Sequence, residues 1–106
     1  MQISNLETIP GTRIVHHLGM VQGNTVRAKH VGKDILSGLK NIVGGELTAY
    51  TELLNDSREE STERMIAAAH ALGANAVLNV RFSTSSVSAG ASELFVYGTA
   101  VIVEAL

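Results

Sequence analysis

The closing segment, Glu93-Leu-Phe-Val-Tyr-Gly-Thr-Ala-Val-Ile-Val103, constrains this chain more than any other. Side chains alternate between the two faces of a strand. Leu94, Val96, Ala100 and Ile102 then share one face, and Phe95, Tyr97, Val101 and Val103 share the other. A strand apolar on both faces is buried on both faces. One layer of helix covers only one of them, and a chain of 106 residues has little left to cover the second. Periodicity therefore predicts association with another copy. A charge at Val101 is expected to dissociate or unfold the protein.

The covering helix is legible upstream. Between Thr48 and Leu72 there is no Gly and no Pro, and Leu47, Tyr50, Leu54, Ser57, Ser61, Met65, Ala68 and Leu72 step by three and four. Glu52, Asp56, Glu59, Glu60 and Glu63 fall mainly off that stripe. This is an amphipathic helix of about 37 Å at about 1.5 Å per residue. Gly73 stops it. Ser57 with Glu60 also fits a capping box, which would divide the segment in two. The unbroken phase of the stripe favours one continuous helix. Small residues at its centre predict close approach to the sheet or to a neighbouring helix. Acids early in the helix and His70 near its end match the helix dipole and need no functional reason.

The remaining segments complete a small sheet. Residues 1–11 read as a lead-in closed by the turn pair Pro10-Gly11. Thr12 to Val21 reads as a strand, Gln22-Gly23-Asn24 as a break, and Thr25 to Ala28 as a second extended piece. Ile35, Leu36, Leu39, Ile42 and Val43 fit one face of a short helix that Gly44-Gly45 ends. Ala76 to Phe82 alternates, with Leu78, Val80 and Phe82 on one face and Asn79, Arg81 and Ser83 on the other. Ser83 to Ser92 reads as a flexible hairpin link. The expected fold is a single two-layer α+β domain over residues 1–106. Its small, mostly antiparallel sheet is covered on one face by the long and the short helix.

Composition removes several function classes. Hydrophobic residues make up 45% and charged residues 17%, which is globular rather than disordered. There is no cysteine, so disulfides, thiolate metal sites and cysteine nucleophiles are out. The net charge of −2 gives no basic excess for nucleic acid or an anionic membrane. Arg27, Lys29, Lys33 and Lys40 form a modest basic cluster without interleaved aromatics for base stacking. The N-terminus has no charged or apolar leader, and no run approaches the roughly 20 apolar residues of a membrane span. A cytoplasmic protein is expected, with neither nucleic acid nor membrane as partner.

Candidate chemistry is sparse. A metal site would rest on His16, His17, His30 and His70. Neighbours in a strand point to opposite faces, so His16 and His17 do not share an ion easily. His30 and His70 lack a partner at the spacing of His-Glu-x-x-His. No metal and no other cofactor is expected. The Gly44-Gly45 turn before the long helix, with Tyr50 one turn in, is the candidate binding site, because free backbone N–H groups at a helix start favour an anion. No Lys-Ser/Thr follows, and Glu46 opposes an anion there, so a tight structural turn is the simpler reading. Gly-x-Ser-x-Gly is absent and the paired acids sit on a solvated helix face, so no enzyme is expected.

The run Asp34-Ile-Leu-Ser-Gly-Leu-Lys-Asn-Ile-Val-Gly-Gly45, then Ala49-Tyr50, Ala71-Leu-Gly-Ala-Asn-Ala-Val77 and Gly98-Thr-Ala-Val101, resembles the YbjQ family over almost the whole chain. The resemblance implies a dodecin-like α+β subunit assembled as a ring-shaped homopentamer. It also brings an old label of heavy-metal binding and no enzymatic activity. Glu46 stands where the family usually has a basic residue, and Asn79, Arg81, Ser83 and Thr84 replace its glycine, alternating aspartates and tyrosine. The expected function is a homo-oligomeric binding or scaffold module for an unidentified small molecule. A sensor or store for a metal or small metabolite is the second reading.

Overall fold

The structure, a computed structural model, describes residues 1–27, 48–88 and 91–106. Its elements are β1 (Gln2–Ile3), β2 (Thr12–Arg27), α1 (Thr48–Ala71), β3 (Ala76–Ser88) and β4 (Ala91–Ala105). The four strands form one mixed sheet in the order β1-β3-β4-β2. β4 pairs antiparallel with both β2 and β3, and β1 pairs parallel with β3. The fold is α+β, with a mostly antiparallel sheet and, among the described residues, one helix. β2 has 16 residues. At about 3.3 Å each it spans about 53 Å, which sets the long dimension of 54 Å.

β4 is the interior strand that its sequence requires. Val96 and Ala100 join Val21, Met65, Ala69, Val77 and Val80 in a core beneath α1. Val101 and Val103 join Ala76 and Leu78 in a second core on the opposite face. Part of the second cover comes from the chain itself, because Ile9 packs on that core. The expectation that a second copy must cover Val101 is corrected here: Val101 is 1% exposed within one subunit.

α1 is continuous through Asn55 and Asp56, so the division at Ser57 does not occur. Ser57, Ser61, Met65 and Ala69 are buried along its inner face, whereas Leu54 and Leu72 stay exposed. Close approach is the reason for the small residues. A Cβ on Gly23 would overlap the Ser61 carbonyl oxygen and lie 2.5 Å from the Met65 nitrogen. The buried Ser61 hydroxyl donates to the Leu94 carbonyl at 3.2 Å, so the tight contact leaves no orphaned polar atom there. The helix ends as predicted. Gly73 takes φ +84, its N–H bonds to His70 O at 2.9 Å and that of Ala74 to Ala69 O at 3.1 Å, the pair of bonds of a Schellman motif.

Four further expectations change. Gln22-Gly23-Asn24 does not break the strand, since pairing with β4 runs without interruption from Met20↔Thr99 to Arg27↔Ser92. Gly23 serves the helix contact instead of a turn. Ser83 to Ser92 is not a loop along most of its length, because β3 stays paired with β4 as far as Ser88↔Ala91. The simple alternation through Phe82 fails at a β-bulge. Between Leu78↔Thr99 and Arg81↔Tyr97 two residues of β3 face one of β4, and Asn79 takes φ 54. The bulge puts Leu78 in the second core and Val80 in the first. Lastly, the lead-in is structural. Ser4 N–H donates to Val77 O at 2.9 Å, and Ser4 O and Leu6 O accept from Val80 and Asn79 N–H at 3.0 and 2.9 Å. The bulge amides are satisfied by this strap. The short helix ended by Gly44-Gly45 lies outside the described residues.

Candidate functional site

Gly44 and Gly45 lie outside the described residues, as do His30, Lys29, Lys33 and Lys40. Tyr50 lies in the first turn of α1, with its side chain also outside them. His16 stands opposite Ile102 and His17 opposite Val101. Directly paired residues share a face, so the two histidines project to opposite sides of the sheet. His70 sits in the last turn of α1. Among the described residues no three of His, Asp and Glu come together as a metal site requires. The described donors therefore do not fit a heavy-metal centre, and the soft thiolate ligands that such a centre prefers are missing from the chain.

A shallow groove of about 410 Å³ opens where α1 ends, lined by Gln2, Thr12, His70, Asn75 and Glu104 among others. Its polar groups are largely engaged. The Asn75 amide donates to Val103 O and accepts from Val103 N–H, each at 2.8 Å, so it extends the ladder as a strand residue would. Glu104 pairs with Arg13. No nucleophile and base meet in it, and the groove is a structural corner at the end of the sheet.

The unusual surface is elsewhere, on the face opposite α1 and above the strap. The β4 row that buries Val103 and Val101 continues through Thr99, Tyr97 and Phe95, which are only half-buried. Beside it on β2 stand Met20, Gln22, Asn24 and Val26, opposite Thr99, Tyr97, Phe95 and Glu93. Met20 is 77% exposed and Val26 53%. Phe95 and Tyr97 lie ring to ring, centroids 5.6 Å apart and tilted by 32°. Arg81 of β3 borders the same row, opposite Tyr97. Asn24 donates to Glu93 at 3.1 Å across this surface. The face is thus apolar along its middle and fringed with amides, an arrangement that suits contact with another surface better than chemistry. The sequence reading placed Phe95 and Tyr97 on this face. It missed Met20 and Val26, whose alternation was hidden by taking Gln22-Gly23-Asn24 for a break.

No described helix is long and apolar enough to cross a membrane. A family model described as "Putative heavy-metal-binding", YbjQ_1, matches residues 1–104. A "UPF0145 protein" of Hahella chejuensis is 68% identical over 104 residues, 98% of this chain and 100% of that protein. One of Archaeoglobus fulgidus is 63% identical over 99 residues, 93% of this chain and 92% of its own length. These descriptions name no enzymatic activity. A crystal structure of a protein of unknown function from the DUF74 family of Pediococcus pentosaceus superposes with a TM-score of 0.65, covering 98% of each chain. At 13% identity that likeness concerns the fold alone. With the family model and the relatives both spanning nearly the whole chain, this protein belongs to the YbjQ family.

Proposed function

We propose that the chain is the subunit of a homo-oligomer, a pentameric ring in the cytoplasm, that works as a non-catalytic binding or scaffold module for a small molecule. The observation that supports it is the surface of Phe95, Tyr97, Met20 and Val26, a continuation of the buried second face that no strap covers among the described residues. Fully burying such side chains stabilises by about 1.5–3 kcal/mol each, and a second copy is the surface present in every preparation. The number five and the closed ring follow from the family resemblance, not from the burial. With the groove at the end of α1 engaged and no nucleophile and base gathered among the described residues, the reading puts the binding capacity at boundaries between copies. Native mass spectrometry of the purified protein tests this. The expected result is a species of five subunits, with any retained small molecule visible as added mass. A monomer at micromolar concentration contradicts the reading, and a dimer or hexamer removes the pentamer while keeping the burial.

A further inference from the structure

We draw no further inference here: the strongest candidate, the aromatic patch of Phe95 and Tyr97 on the sheet face opposite α1, with Arg81 on one side and Gln22 and Asn24 on the other, runs up to Arg27, beyond which residues 28–47 lie outside the described residues, and nothing in the structure shows what covers it.

Discussion

The lower and upper halves of this molecule share strands but not covers. Below, α1 lies over one end of the first core and residues 4–9 strap the second, so Val101 and Leu78 are sealed within one chain. Above, α1 packs so closely on β2 that Gly23 has no room for a side chain, while the opposite face carries Met20, Val26, Phe95 and Tyr97 with no such strap among the described residues. The same strand, β4, supplies both halves and carries apolar side chains on both faces between Leu94 and Val103. That pattern calls for two covers, and the described residues supply the second over only half the length. The difference separates residues that hold the subunit together from residues that the proposed function assigns to contact between copies.

The largest expected effect sharpens that separation. Val101→Asp puts a carboxylate in a dry core within the subunit and costs about 4 kcal/mol or more. Tyr97→Asp, four residues earlier on the same face, leaves each subunit folded and removes the assembly. Thermal melts read beside light scattering distinguish the two. Equal unfolding by both variants breaks the comparison. Next, Leu78→Ala opens a cavity under the strap and costs about 2–5 kcal/mol. Phe82→Ala, at the half-exposed edge, changes urea stability of the dissociated subunit by much less. Gly23→Ala drives a methyl into the helix backbone and costs about 1–3 kcal/mol, seen as a lower urea midpoint. Smallest is Arg13→Ala, which loses an exposed ion pair with Glu104 worth under about 1 kcal/mol. A large loss there would mean that the lower corner carries strain or function beyond its packing.

Much of the architecture was legible because it is written locally. The stripe from Ser57 to Met65, the stop at Gly73 and the two-faced β4 each follow from periodicity within one segment. What failed depended on distant partners. Gly23 looked like a turn residue, and only the helix backbone across from it shows why a side chain is excluded. Asn79 gave no periodic signal, yet its left-handed backbone reverses the alternation of β3 from Val80 onward. The Ser-rich stretch after Phe82 has a loop composition, and pairing with an apolar neighbour makes it a strand, since strand preference is largely set by context. The polar lead-in contributes a strand and a strap through bonds to residues some 70 positions away, which no local pattern announces. The proposed Gly44, Gly45 and Tyr50 site fell outside the described residues and side chains. The interaction surface was half-read, through Phe95 and Tyr97, because β2 was cut at Gly23.

Amide hydrogen exchange at micromolar concentration tests the central claim, that the upper half is completed by another copy. In an isolated subunit, alternate amides of an edge strand point to water and exchange freely, while the others bond to β4. The account predicts that amides across residues 20–26 gain protection where a second copy covers Met20 and Val26, and that dilution to dissociation restores the alternating pattern while Val77 and Val101 stay protected. An alternating pattern already present at micromolar concentration, unchanged on dilution, would contradict it.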